Sequence, residues 1–278
     1  MKQFAIILIF FAAFAHIANA QCDANHVIYS NLQAHLEGTP KTDINAVIVK
    51  IAQYFLETPY VGHTLDSNNV EQLVVNLNRF DCMTFVETVL ALSKNYVSNN
   101  PSYQNFENIL QNIRYRGGVI NGYTSRLHYT SDWIYDNVRK HNVLDRTSTI
   151  GGVPFCPVLN FMSTHSQNYL QLKNSPADVD TMRVIEGRIN ARKSLYYIKK
   201  AQVNTIEKSI DAGNLIMITT SVAGLDYGHV GFAINDNGVL KFIHASSDKK
   251  KVVKTASSLS AYLLNVKSFT GISVLKAN

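Results

Sequence analysis

Three residues of this chain are candidates for nucleophilic catalysis, namely Cys82, His229 and His244. Cys82 follows Asp81 at the start of a segment whose apolar spacing predicts a buried helix. The unpaired N–H groups and the positive dipole end of a helix start stabilise a thiolate, so we expect a lowered thiol pKa. Cys82 is therefore a candidate nucleophile. An ordinary buried cysteine is the alternative that this position leaves open.

The two histidines lie on neighbouring apolar runs separated by the turn-rich residues 234–241. A hairpin there would place both imidazoles side by side. One would act as general base, and the other would accept its second ring N–H. Two strand-end histidines that meet solvent or a backbone carbonyl are the alternative. We predict no metal site, because no cysteine or carboxylate at a supporting spacing adds the third ligand that zinc requires.

The elements that would position these residues divide into helices followed by strands. Helical periodicity occurs at 43–57, after Cys82, at 103–113, and around 131–142, 163–172 and 178–192. The pairs Gly117-Gly118 and Asn121-Gly122 predict a hairpin after the third helix. Short apolar or alternating runs predict an antiparallel meander over 215–222, 229–234, 240–245 and 251–254, then a helix at 257–264 and a last strand at 271–275. This order favours an α+β fold.

Composition restricts the class of protein. The 278 residues are 46% hydrophobic and 17% charged, which is typical of a globular protein. The net charge is +6, and no basic run is longer than 249–251, so nucleic-acid binding is not predicted.

The N-terminal residues have the pattern of an export signal. A signal peptide over 1–20 is predicted from Lys2, the apolar run 4–15 and the small residues Ala18 and Ala20. A single domain over 21–278 follows it. We therefore expect a periplasmic or secreted protein, and no later run is long enough for a transmembrane helix. Cys22 and Cys156 either form a disulfide or are both free.

Several motifs are similar to those of one enzyme family. The matching segments are Thr58–Val61, Phe80–Glu87, Ser125–Tyr129, Gly228–Phe232 and Phe242–Ser247. Together they resemble the NlpC-type cell-wall cysteine peptidases, and within these the N-acetylmuramoyl-L-alanine amidase-like family, over roughly residues 43–276. The resemblance implies a papain-like core, with the nucleophile helix packed on an antiparallel sheet, and a largely helical insertion over about 100–195.

The resemblance also implies roles for individual residues. Cys82 would be the nucleophile, His229 the base and His244 the residue that orients it. Tyr60 would lie beside the nucleophile, near the developing oxyanion. Asp81 belongs to the motif that in endopeptidase relatives holds the amino end of a trimmed stem peptide, but the usual serine after the cysteine is replaced by a methionine at position 83. This departure favours cleavage nearer the sugar.

Two further residues are candidates for substrate binding. Arg126 could pair with a substrate carboxylate, because an arginine binds carboxylates with two hydrogen bonds, and a structural salt bridge is the alternative. His128 could line a groove for sugar or peptide.

The reaction implied is cysteine-dependent hydrolysis of the amide between N-acetylmuramic acid and L-alanine in muropeptides or peptidoglycan, by a monomer without a cofactor. A γ-D-glutamyl-diaminopimelate endopeptidase with the same three residues is the nearer alternative. A catalytically silent wall-binding module, marked by an ordinary thiol pKa at Cys82, is the more distant one. The sequence does not distinguish intact sacculus from soluble fragments as the substrate.

Overall fold

The computed structural model describes residues 24–66, 68 and 70–278. The predictions for the signal peptide and Cys22 therefore lie outside the described residues. The helices, numbered in chain order, are α1 (24–35), α2 (Ile44–Tyr54), α3 (Cys82–Val97), α4 (Tyr103–Arg114), α5 (Thr130–Arg139), α6 (Phe161–Thr164), α7 (Pro176–Asn190), α8 (Val203–Ile206) and α9 (Leu259–Asn265). No helix within the described ranges has the length and apolar character needed to cross a bilayer.

The strands form one antiparallel sheet in the order β2-β3-β8-β4-β5-β6-β7, and β1 also pairs with β8. They are β1 (Val143–Asp145), β2 (Val153–Pro154), β3 (Tyr196–Lys199), β4 (Leu215–Thr220), β5 (Tyr227–Asp236), β6 (Val239–Ser246), β7 (Lys251–Lys254) and β8 (Phe269–Ala277). The α+β class and the meander β4 to β7 are confirmed. The last strand lies inside the sheet, between β3 and β4.

The hydrophobic core covers both faces of this sheet. On one face, α1 to α5 pack against alternate residues of the central strands, including Val230 and Phe232 of β5. On the other face, α8 and α9 pack against the residues that point the opposite way, including Ala233 and Phe242. Because successive side chains of a strand point to opposite faces, α3, which carries Cys82, and the small helix α9 lie on opposite sides of the sheet.

The segment predicted as an insertion, about 100–195, contains α4 to α7 and the short strands β1 and β2. The hairpin expected around 117–122 is wrong. Gly117, Gly118 and Gly122 have positive φ angles of 60°, 77° and 72°, and they serve two short 3-10 turns instead. A single antiparallel bridge between Tyr115 and Arg126 joins the flanking segments.

Candidate active site

The nucleophile candidate Cys82 is the first residue of α3. The Asp81 carboxylate accepts hydrogen bonds from the backbone N–H of Thr84 (2.7 Å) and from its hydroxyl (2.9 Å). The Thr84 hydroxyl oxygen accepts in turn from the Asp81 N–H at 2.9 Å, which completes a capping box. The structure therefore uses the Asp81 side chain to begin the helix that carries the thiol.

Tyr60 is held beside this helix start by backbone hydrogen bonds on two sides. The N–H of Val61 donates to the Phe80 carbonyl, and the Phe80 N–H donates to the Pro59 carbonyl, at 2.9 and 3.0 Å. On its other side the Tyr60 N–H donates to the Lys250 carbonyl at 2.9 Å. Residues 59–61 thus run beside the residue that precedes Asp81-Cys82. Burial, followed by the charges of the neighbouring Cys82 and Asp81 groups, raises the pKa of Tyr60.

His229 and His244 lie side by side at the ends of β5 and β6, as the sequence predicts. Nε2 of His229 and Nδ1 of His244 are 2.6 Å apart, and the two rings are perpendicular. Because this bond holds one proton, His229 can keep Nδ1 free as a base when its Nε2 donates to His244. The roles of His229 as base and His244 as orienting residue stay predictions.

Two local features fix the start of β5, the strand that carries His229. Gly228 is the extra residue of a bulge, since His229 pairs with Ile218 and Tyr227 with Thr219. The buried Asp226 carboxylate accepts from the N–H of Ser131, in the first turn of α5, at 2.7 Å. This hydrogen bond ties the beginning of β5 to the N-terminus of α5.

The Cys82 thiol lies beside β5, the strand that carries His229. The backbone of Val230, the residue after His229, is close enough to the sulfur to lower the pKa of Cys82. Among the described residues no hydrogen bond joins this sulfur directly to either imidazole. Catalytic hydrogen bonds often tighten only when substrate is bound, so the arrangement is compatible with transfer of the thiol proton to His229.

The expected lowering of the thiol pKa is wrong. Burial raises the pKa of Cys82 to about 12, and the neighbouring Asp81 carboxylate acts in the same direction. The N–H groups of Val230, Met83 and Cys82 lower it by less. Burial also lowers the pKa of His229 to about 4 and that of His244 to about 3. At neutral pH the resting site therefore holds a protonated thiol and two neutral imidazoles.

Aromatic rings enclose the two imidazoles. Phe242 stacks on His244 with ring centroids 4.8 Å apart, and Phe269 lies parallel to His229 at 6.3 Å. Tyr262 of α9 completes the enclosure 5.3 Å from His244. Its pKa is raised to about 12, first by burial and then by the Cys82 thiolate. Sequence reasoning missed Tyr262, because an aromatic residue on a short amphipathic helix is typical of ordinary core packing.

Comparison with known proteins assigns the chain to a family. The sequence model of the AmiA-like family, described as N-acetylmuramoyl-L-alanine amidase-like, matches residues 50–272, which is most of the chain. The chain belongs to this AmiA-like family. None of the curated proteins matches the sequence.

Solved structures agree with membership of the AmiA-like family. An N-acetylmuramoyl-L-alanine amidase from Bacteroides uniformis is 38% identical, with a TM-score of 0.81 over 84% of this chain and 99% of that one. A protein from Bacteroides fragilis described as a putative xylanase is 39% identical, with a TM-score of 0.78 over 81% and 99%. A Legionella pneumophila protein at 23% identity shares the fold, with a TM-score of 0.71 over 92% and 96%.

In this AmiA-like chain Arg126 is engaged by the protein's own carboxylates. Its Nε and Nη2 donate to the two oxygens of Glu71 at 2.9 and 2.7 Å, and Nη1 donates to Asp66 at 2.9 Å. The side chain is only 10% exposed. The structure therefore contains the salt bridge that the sequence left open as the alternative to a substrate contact.

His128 also has a partner within the protein. Its Nε2 donates to the Tyr123 carbonyl at 2.9 Å, and its ring lies 4.3 Å from the Tyr123 ring. Burial, followed by the nearby Arg126 charge, lowers the pKa of His128 to about 3. A role for the neutral His128 in lining a substrate groove stays a prediction.

Proposed function

We propose that this AmiA-like chain is a cysteine hydrolase that cleaves the amide between N-acetylmuramic acid and L-alanine in muropeptides. Family membership and the Bacteroides uniformis amidase support a peptidoglycan hydrolase. The observation that carries the cysteine mechanism is the 2.6 Å His229–His244 hydrogen bond, one residue from Val230, whose backbone lies close enough to Cys82 to lower its pKa. The same arrangement supports an NlpC-type, papain-like core, in which a nucleophile helix packs on the strand that carries the base.

The proposed reaction has two steps. As the substrate carbonyl reaches Cys82, His229 Nδ1 takes the thiol proton and the sulfur adds to the carbonyl carbon. The same imidazole then gives the proton to the departing L-alanine nitrogen, which leaves the muramic lactyl group as a thioester. Water hydrolyses this thioester, with His229 as base, and restores the thiol.

Two donors are available for the oxyanion of the tetrahedral intermediate. The Cys82 N–H is at the first position of α3, where an intrahelical acceptor is lacking. The Tyr60 hydroxyl has a raised pKa, so it stays protonated at neutral pH. A donor of this kind contributes about 3 kcal/mol in comparable sites.

One observation favours the catalytically silent module, namely the raised pKa of the Cys82 thiol. A resting thiolate is not required, however, because neutral His229 can remove the proton during attack. Cys82→Ala should abolish release of stem peptide from defined muropeptides followed by mass spectrometry. Cys156→Ala, at an exposed cysteine without a disulfide partner among the described residues, is the matched control and should keep full activity. Activity retained in the Cys82 variant would refute the cysteine mechanism.

The same products identify the bond that is cut. Intact free stem peptide supports the amidase, whereas an L-alanyl-D-glutamate fragment supports the γ-D-glutamyl-diaminopimelate endopeptidase. Met83 in place of the usual serine favours the amidase, because a thioether does not donate a hydrogen bond to a peptide amino end.

We also propose export, with cleavage after Ala20. N-terminal sequencing of the processed protein would test it. A mature chain that still begins at Met1 would contradict it.

A further inference from the structure

A groove lined by arginines lies between α5, α7 and the turns at 116–125, and none of its lining residues is among those described above around Cys82, His229 and His244. It consists of two adjoining cavities of about 230 and 410 Å³, which share Arg116, Ile185 and Arg188 as lining residues. Arg139 and Arg192 also line the smaller cavity. We call this the arginine groove and define it by these four arginines.

Two of the four guanidinium groups are fixed in place by a single carboxylate. The Asp132 side chain is only 3% exposed, and its two oxygens accept from Arg116 Nη2 and Arg192 Nη1, each at 2.6 Å. Arg116 donates again to the Thr124 carbonyl at 2.8 Å. The Arg192 guanidinium lies 3.8 Å from the Tyr135 ring centroid. These contacts hold both groups in position before a ligand arrives.

The other two arginines, Arg139 and Arg188, are exposed, and neither has an ion pair among the described residues. The only carboxylates lining the smaller cavity are Asp132 and Asp136, and Asp136 also binds Lys140. Four guanidinium groups therefore face two carboxylates. The smaller cavity has two positive charges in excess, and this excess favours an anionic ligand.

The lining of the larger cavity fits an uncharged, extended part of a ligand. Val119, Val184 and Ile185 give it apolar surface, while Asn121 and Thr181 provide hydrogen-bonding groups. We propose that the arginine groove binds an acidic peptide, with its carboxylates on the guanidinium groups and its backbone along the larger cavity. Two carboxylates spaced along a chain fit better than one compact dianion, because Asp132 and Asp136 repel concentrated negative charge.

Trp133, the single tryptophan of the chain, directly follows Asp132 on α5 and is a local reporter of binding. The titration uses full-length Cys82→Ala protein and the tripeptide L-alanyl-γ-D-glutamyl-diaminopimelate, whose choice rests on the proposed function. We expect a saturable change in tryptophan fluorescence. The double variant Arg139→Gln/Arg188→Gln should raise Kd by roughly tenfold for each arginine. Both residues are exposed, so the buried Asp132 keeps its partners.

Arg183→Gln is the matched control, because Arg183 lies on α7, outside the groove, and its one ion pair within the described part of the chain is with Asp180. Its Kd should stay within twofold of the parent value. The proposal is overturned if the double variant binds with the parent Kd, if the fully amidated tripeptide binds equally well, or if inorganic phosphate binds more tightly than the peptide. The titration needs no turnover, so its failure leaves the proposed hydrolysis standing, and an enzyme inactive on muropeptides leaves the titration valid.

Discussion

Gly231 determines how closely β5 approaches β6 beside the two imidazoles. A Cβ atom at this position would lie 2.5 Å from the Ile243 carbonyl oxygen and 2.7 Å from the Phe242 ring. Ordinary contact begins at 3.4 Å, so Gly231→Ala requires β6 to retreat by about 0.9 Å. His244 follows Ile243 directly, and it would move with this backbone.

The expected loss follows from the distance between the two rings. A retreat of this size lengthens the Nε2–Nδ1 separation from 2.6 Å to about 3.5 Å, the outer limit of a hydrogen bond. His229 then loses its orienting partner, and a misplacement of about 1 Å can cost roughly 100-fold in rate. Crowding in the core should also lower the free energy of unfolding by about 1–3 kcal/mol.

The assay measures kcat for stem-peptide release and urea unfolding on the same preparations. Gly187→Ala is the matched control, because an added methyl group there meets nothing within 4 Å and the position is inside α7. This control should keep kcat and gain up to about 1 kcal/mol in stability, since alanine favours helix more than glycine does. A Gly231→Ala protein with parental kcat and parental unfolding free energy would show that close strand approach is not what holds the histidine pair.

Two further predictions concern stability. His244 has a pKa of about 3 when folded against 6.5 when unfolded, so the unfolded chain takes up the proton first and stability falls as the pH drops below 6.5. At pH 5 this proton uptake lowers the free energy of unfolding by roughly 2 kcal/mol. Urea unfolding at pH 7 and pH 5 should therefore show a smaller pH dependence for His244→Gln than for the parent protein. Identical pH dependences would rule out this origin. Arg126→Gln should cost about 3–5 kcal/mol in the same assay, because it leaves the buried Glu71 carboxylate unpaired, and adding Glu71→Gln should recover part of that loss. If the double variant is no more stable than the single one, the ion pair is not the cause.

Local pattern was enough to predict the parts of the site that depend on neighbouring residues. Alternating apolar runs and a turn predict the hairpin that pairs His229 with His244, and apolar spacing predicts the helix that begins at Cys82. The position of β8 inside the sheet was not predictable in this way, because it depends on pairing with β3 and β4, which are distant in sequence.

The errors have physical reasons that a linear pattern does not contain. The helix start alone predicted a lower pKa for the thiol, but desolvation at Cys82 outweighs the helix amide groups. The glycines at 117, 118 and 122 are typical of a hairpin, but in the structure their positive φ angles serve 3-10 turns. The contact of the Asp226 carboxylate with the N-terminus of α5 is not visible in a local pattern, because it joins Asp226 to Ser131, 95 residues away.

The pairing of β1 with β8 means that the helical segment is not a removable module. Val143–Asp145 lie in register with Leu275–Ala277, on the edge of β8 that faces away from β4. A chain from which residues 100–195 were deleted would therefore expose unpaired backbone N–H and C=O groups along the apolar strand β8. Such an open edge recruits other chains, so a minimal catalytic version of this protein would self-associate unless that edge were covered again.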